Sequence, residues 1–348
     1  MIRDSVLNVA VMGLNRGLDH VEAYKKNSRV RLIAICDDDK PWLDFCQNKY
    51  KPDHTFADYR EMLANQDIDA VSVCLPTYLH NEATITALRS GKHVLCEKPM
   101  AVNAVEAEAM HHASQIAGKI LMISHNQRFD ADSQLLKKQV ETGMFGDIYF
   151  IRAGWRRPMG WMPGPFGNRE NGTQLNRNWF NEKDKGGGVL RDLGSHMIDL
   201  AMYLTGFPKL VEVSASCYRK FYPDGYMPGE YIVDSEDLAE GHLKFANGMS
   251  MQMEVSFGSF IEGEALFTEI YGTKAGASRR NGSLRFFKAL DGGMTVDTVK
   301  SYSIEVKKPM DRFVDCLIDG TAPAVTSAQG VEVIKIIDAI YASAGKIV

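Results

Sequence analysis

In the first 126 residues, apolar strand segments alternate with helical ones, and few folds accept that order. Residues 7–11, 30–36, 70–75, 93–96 and 120–124 read as strands. Residues 19–26, 41–48, 59–65, 81–89 and 104–116 read as helices. Strands separated by helices run parallel, because each helix carries the chain back across a face of the sheet. The expectation is an α/β fold with a doubly wound parallel sheet and helices on both faces.

The turn after the first strand is Gly13-Leu14-Asn15-Arg16-Gly17. It resembles the G-x-G-x-x-G turn on which a dinucleotide pyrophosphate rests, with Asn15 in place of the second glycine. Asn tolerates left-handed backbone better than other non-glycine residues, which would preserve the turn. Arg16 adds a cation near the expected phosphate. Asp37 closes the second strand at the offset of an acceptor for a ribose 2′-hydroxyl, and its charge repels a 2′-phosphate. NAD is therefore expected rather than NADP.

A second candidate site closes the strand of residues 93–96. Lys98 follows at once, and Pro99 keeps the residue before it extended, which fixes where the ammonium is presented. Ligands of open α/β sheets bind at such strand ends. Taken alone, Glu97-Lys98-Pro99 reads equally as a solvated charge pair before a turn.

At 348 residues the chain has room for two domains, each with its own core. The 45% hydrophobic and 24% charged composition is that of a soluble globular protein. A net charge of -4 offers no basic field for nucleic acid or an anionic membrane. No apolar run is long enough to span a bilayer. Six scattered cysteines and an N-terminus without a signal-peptide pattern point to reduced thiols in the cytoplasm, not to disulfides or zinc.

Residues 127–348 have a different texture and read as a second domain, for substrate and oligomerisation. A helix is expected over 132–141 and a strand over 147–153. From Trp155 to Lys185 regular periodicity is missing, although three of the four tryptophans (Trp155, Trp161, Trp179) lie there. A long aromatic segment of this kind is usually functional. Residues 249–257 alternate strictly between apolar and polar, as in a half-buried antiparallel strand, and Asn247-Gly248 before them is a hairpin turn. With strands at 266–271 and 283–287 this gives a large open, mainly antiparallel sheet. Its polar face, Ser250, Gln252, Glu254 and Ser256, would meet solvent or a second subunit. The last helix, about 327–345, is apolar on one side and is expected to pack back on the first domain.

After Gly186-Gly187-Gly188, Asp192 and His196 are spaced to share one helical face, and Asp199 continues the stripe. An isolated pair of this kind also reads as a capping Asp and a core histidine. A zinc site is the third reading, with no further ligand at a metal spacing nearby.

In this order the motifs resemble one family, the glucose-fructose oxidoreductase / inositol dehydrogenase / rhizopine catabolism family (Gfo/Idh/MocA). They are Gly13-x-x-x-Gly17, Glu97-Lys98-Pro99 and Gly186-Gly187-Gly188-x-x-x-Asp192-x-Gly194-x-His196. Asn126-x-Arg128-Phe129 at the junction and Glu269 to Gly276 in the sheet extend the resemblance over nearly the whole chain. It implies a Rossmann domain, an α/β domain with an open sheet, and a cytoplasmic homodimer or homotetramer. It implies nicotinamide-dependent redox chemistry on sugars, polyols or glycosides. By the same resemblance Lys98, Asp192 and His196 are catalytic. Gly13, Leu14, Asn15, Arg16, Gly17, Asp37, Leu75, Pro76, Thr77, His80, Glu97, Lys98, Asn126 and Trp179 would hold the cofactor. Lys98, Arg128, Trp155, Arg157, Trp161, Asp192 and His196 would face the substrate. Asn15 departs from the family pattern, and so does Phe180, where many members have Arg.

The chemistry suits these residues. Oxidising a secondary alcohol sends a hydride to nicotinamide and a proton to a base poised near the working pH. His196 has a fitting intrinsic pKa, and Lys98 can stabilise negative charge on the reacting oxygen. Asp192 would accept from a substrate hydroxyl or orient His196. The segment 155–185 offers flat tryptophan faces with donors from Arg156, Arg157 and Asn178, the make-up of a sugar pocket. A glucoside or related pyranose, oxidised at a ring hydroxyl, is therefore expected ahead of free inositol. Two other readings use the same residues or fold. One is an NAD-dependent glycosidase acting by transient C3 oxidation and elimination. The other is a cofactor-sensing regulator, against which Lys98, Asp192 and His196 argue.

Overall fold

In the computed structural model, which describes residues 6–159, 166–221, 232–301, 304, 306–345 and 347, β1 (Leu7–Met12) is a deeply buried strand. Leu7 and Val9 to Met12 have no exposed surface. It is followed by α1 (Gly17–Lys26), β2 (Val30–Cys36), α2 (Lys40–Tyr50), β3 (His54–Phe56), α3 (Tyr59–Leu63) and β4 (Ala70–Val73). Then come α4 (Thr77–Arg89), β5 (His93–Glu97), α5 (Ala104–Ala117) and β6 (Leu121–Ser124). The strands pair in the order β3-β2-β1-β4-β5-β6, all parallel. The order reverses between β1 and β4, so a crevice opens at their C-terminal ends. β3 has no counterpart among the expected strands, because three residues leave no readable period. α4 starts four residues before the expected position, since Leu79 N already bonds Pro76 O at 2.9 Å.

The second half runs through α6 (Ala131–Glu141), β7 (Ile148–Pro158), β8 (Phe166–Asn168), β9 (Gln174–Asn176), α7 (Ser195–Thr205) and β10 (Leu210–Tyr218). β11 (Leu238–Phe245), β12 (Ser250–Ser259), β13 (Ala265–Gly272), β14 (Ala275–Arg280), β15 (Ser283–Leu290) and β16 (Gly293–Thr298) follow. The chain closes with α8 (Pro309–Asp319) and α9 (Ser327–Ala344). An eight-stranded sheet has the order β10-β11-β12-β7-β13-β14-β15-β16. β12 is antiparallel to β11 across the Asn247-Gly248 turn, as expected, but parallel to β7. Parallel neighbours need a long crossover, and the segment containing α7 supplies it.

Three further expectations change. β7 extends to Pro158, which places Trp155 on a strand rather than in an irregular segment. The β8–β9 hairpin adds order to the same stretch. Strict alternation along β12 ends at Val255: Ser256 is fully buried and bonds Ser259 Oγ at 2.8 Å, so it leaves the polar face. The open face that remains is laced with charge. Arg152 lies between Glu254 (3.5 Å) and Glu269 (3.2 Å), and Arg156 reaches Glu254 at 3.4 Å.

α9 touches both halves. A capping box formed by Thr326 and Gln329 starts it. Asp338 accepts from Ala104 N at 2.7 Å on the first half, and Ser343 Oγ donates to Val213 O at 3.0 Å on the second. Gly330 lies so close to Met100 and Ile123 that a Cβ would meet both at 2.8 Å.

Buried histidines set the acid limit of this fold. His93 Nδ1 accepts from Ile120 N at 3.1 Å, so its ring nitrogen must be unprotonated there. Burial, then Lys119, pushes the His93 pKa down to about 4. Burial pushes His125 down to about 4 as well, against the pull of Asp199. In the unfolded chain both titrate near 6.5, so on acidification the unfolded state takes up protons first. Their stabilising contribution is complete above about pH 6.5 and is lost as pH falls toward about 4. Thermal melts followed by circular dichroism should show Tm declining below about pH 6.5, ahead of most carboxylates; a flat Tm down to about pH 5 would contradict this.

Candidate active site

The site assembles at the β1–β4 crevice. Gly13 ends β1 with φ +86, and a Cβ there would sit 2.5 Å from the Cys74 carbonyl oxygen. Only glycine lets the two strand ends come this close. Leu14 is held at both backbone groups: its N–H donates to Asp37 Oδ2 at 2.7 Å, and its carbonyl accepts from the Trp42 indole at 3.0 Å. Asn15 is not at positive φ, so the expected left-handed conformation is not used. Asn15 and Arg16 are exposed, and Arg16 pairs with Asp19 at 2.7 Å. No side chain caps α1, which leaves its first N–H groups and the positive end of its dipole for an anion. A pyrophosphate fits that arrangement. Asp37 is 8% exposed and also accepts from Asp39 N at 3.1 Å. Burial pushes its pKa up, against those two backbone donors and Arg169.

At the ends of β4 and β5 a buried histidine ties two loops together. His80 lies 2.8 Å from Leu75 O and 2.9 Å from Pro99 O. Pro99 follows a cis peptide bond with Lys98. Glu97 is not half of a solvated pair. It is buried, 3.0 Å from His20 Nε2, with His20 Nδ1 2.9 Å from Ser72 Oγ, and it accepts from Lys98 N at 3.2 Å. Burial would raise its pKa, but His20, Arg16 and Ser124 outweigh that and bring it to about 2. This permanently charged carboxylate anchors the end of the strand that presents Lys98.

The three glycines at 186–188 each answer a separate close approach. A Cβ would strike Thr77 at 2.8 Å from Gly186, the Phe180 carbonyl at 2.5 Å from Gly187, and the Glu236 carboxylate at 2.4 Å from Gly188. Leu190–Gly194 then forms a π-helical turn, a feature frequent at functional sites, before α7 becomes regular. Asp192 is carried on that turn. Its Oδ1 lies 2.6 Å from Lys98 Nζ, and its carbonyl lies 3.3 Å from the same ammonium. The carboxylate therefore orients Lys98, not His196.

His196 is 7% exposed, and its Nδ1 is buried without a hydrogen-bond partner among the described residues. Burial, then the Lys98 charge, depresses its pKa well below the ordinary histidine value. Its ring centroid is 5.7 Å from that of Trp155, and the Arg157 guanidinium lies 4.8 Å from the same tryptophan. Trp179 stacks on Phe180 at 3.9 Å beside the glycine run. Just after β6, Asn126 Oδ1 is buried without a hydrogen-bond partner among the described residues, an acceptor available to a bound group.

A family model described as an oxidoreductase family with an NAD-binding Rossmann fold matches residues 7–125. Its companion, a C-terminal alpha/beta domain, matches residues 137–347. The chain belongs to the Gfo/Idh/MocA oxidoreductases. It is 34% identical over 286 residues to D-glucoside 3-dehydrogenase of Escherichia coli, covering 79% of this chain and 77% of that one. It is 27% identical over 297 residues to the NADP-dependent scyllo-inositol 2-dehydrogenase IolW of Bacillus subtilis, covering 81% and 78%. An oxidoreductase domain protein from Kribbella flavida superposes with a TM-score of 0.85 at 25% identity, covering 98% of this chain and 97% of that one.

Not every candidate of this Gfo/Idh/MocA chain reaches the cleft. Arg128 does not face substrate. It is 2% exposed, bonds Asp199 twice (2.8 and 2.6 Å) and Gln329 at 2.9 Å, and lies between Tyr203 and Phe207. A buried guanidinium needs this many acceptors, and the same pairing takes Asp199 out of the Asp192 stripe. Arg156 points to the opposite sheet face, toward Glu254. Asn178 donates to Glu182 at 3.0 Å and to the Ile232 carbonyl at 3.4 Å. Trp161 lies outside the described residues. One residue that pattern reading missed is His125. Both its ring nitrogens are buried without a hydrogen-bond partner among the described residues, with Asp199 3.9 Å from Nε2, and its charge would act directly on His196. Its only signal was adjacency to Asn126 at a strand end. Because Arg128→Ala leaves Asp199 buried and uncompensated, it should destabilise the fold by about 3–5 kcal/mol in urea melts. Among folded molecules, substrate KM should stay near that of the wild type; a raised KM with normal stability would return Arg128 to the substrate site.

Proposed function

We propose that this chain oxidises a ring hydroxyl of a glucoside or related pyranose, with NAD as hydride acceptor. One observation carries the proposal: a lysine ammonium fixed by a carboxylate at 2.6 Å, beside a buried histidine whose Nδ1 has no hydrogen-bond partner among the described residues, at the mouth of a dinucleotide crevice. Bound nicotinamide supplies the hydride-accepting carbon. Asp192 holds Lys98 so that its remaining N–H bonds meet the reacting oxygen and stabilise charge as the proton leaves. Burial, then the Lys98 charge, lowers the His196 pKa and favours the neutral ring, which in this reading accepts the proton from the reacting hydroxyl. Trp155 and Arg157 form the sugar-facing wall, an apolar face beside a donor. Identity to the glucoside 3-dehydrogenase favours a glycoside over a free inositol. Asp37 at the ribose favours NAD over NADP. Six free, buried cysteines suit the cytoplasm, and no described helix is long and apolar enough to cross a membrane.

The test is a screen of glucosides, pyranoses and inositols, following accumulation of reduced nicotinamide. Lys98→Ala and His196→Ala should each lower kcat by about 10²-fold or more while NAD still binds. Near wild-type turnover in both would remove these residues from the chemistry. A chain that cleaves glycosides without net NADH would be the transient-oxidation glycosidase instead.

We also propose that the charged open face of the eight-stranded sheet pairs with a second copy. Tyr271 (37% exposed), bonded to Glu269 at 3.2 Å and packed on Phe150, adds apolar area to its ion-pair lattice, a mixture suited to an interface. Light scattering at micromolar concentration should give a dimer or tetramer; a monomer would refute this.

A further inference from the structure

The β8–β9 hairpin belongs to the second half of the chain, yet its tip lies on the cofactor half. Arg169 N bonds Thr173 O at 2.9 Å, and Gly172 turns the chain with φ +81, so the tip is a closed loop. From it Arg169 forms an ion pair with Asp39 Oδ2, and its guanidinium lies 5.1 Å from the centre of the Trp42 ring. Glu170 meets Lys49 Nζ at 2.6 Å. Asp39 is the cap of α2, two residues after Asp37, and Trp42 holds the Leu14 carbonyl. The tip therefore rests on the side chains that shape the ribose corner. The Arg169 side chain is only 8% exposed, and its Nε–H is buried without an acceptor among the described residues. A buried, unmatched guanidinium donor is costly unless something accepts from it.

We propose that the β8–β9 hairpin is a strap across the adenosine end of bound NAD, and that Arg169 is a cofactor-binding residue donating from Nε to the adenosine ribose. This rests on the reading that Asp37 marks the ribose position. Neutralising the acidic run Asp37-Asp38-Asp39 is the second consequence of placing a guanidinium there, since Arg169 also acts on Asp37. The strap is able to lift. Its strands are three residues each, and its Lys49–Glu170 pair is exposed and worth little. Cofactor release then requires the second half of the chain to let go of the first.

The experiment compares NADH with reduced nicotinamide mononucleotide, which lacks the adenosine, on the full chain by cofactor fluorescence and stopped-flow release. Arg169→Ala should weaken NADH by about tenfold, mainly through faster release, and leave the mononucleotide unchanged. Arg169→Lys, which keeps a cation for Asp39 but has no Nε–H, should show most of that loss. NADH affinity within about twofold of wild type in Arg169→Ala would overturn the proposal. Equal weakening of both ligands would overturn it too, because the effect would then not lie at the adenosine. Asp37→Ser is measured in parallel. An unchanged preference for NADH over NADPH in that variant defeats the ribose reading itself, whatever Arg169 does.

Discussion

The contact between the Lys98 ammonium and the Asp192 carboxylate joins the two sheets at the point where chemistry is possible. Each partner comes from a different half, and each is held by a buried device of its own. Glu97, kept charged because His20, Arg16 and Ser124 together outweigh its burial, anchors the strand end behind Lys98. The glycine run lets the turn carrying Asp192 settle against Thr77 and Glu236 without side chains between. In a partly buried cleft such an ion pair acts more strongly than in water, so small displacements of either half change its geometry and its charge.

The interior uses two opposite solutions for ionisable groups. Arg128 with Asp199 and Glu97 with His20 are paired by hydrogen bonds. His93, His125 and His196 are kept neutral by burial. The first solution fixes geometry at the junction of the halves. In His125 and His196 the second leaves bases without protons near the reactive lysine, at the expense of stability in acid.

Much of the first half was legible because its signals are local. Strand and helix periods, Gly13 and Gly17 flanking the turn, and Asp37 at the end of β2 all follow from neighbours within a few residues. Lys98, Asp192 and His196 were legible as members of ordered motifs. The limits appear where a local pattern meets a distant partner. Asp199 shares the helical stripe of Asp192, but Arg128 claims it from 71 residues away. Ser256 fits the alternation of β12 but is buried by the bend toward Ser259.

By itself, then, the sequence determined the parallel sheet, its crevice and the residue types available for redox chemistry, because periodicity and turn geometry depend on contiguous residues. The tertiary structure alone decided which charged groups face the cleft. It sent Arg128 and Glu97 inward and turned Asp192 toward Lys98 rather than His196. It left His125 without a hydrogen-bond partner among the described residues and carried Arg169 across to Asp39. The reason is electrostatic: a buried charge goes where partners from remote segments can satisfy it, and no local pattern records where those segments meet.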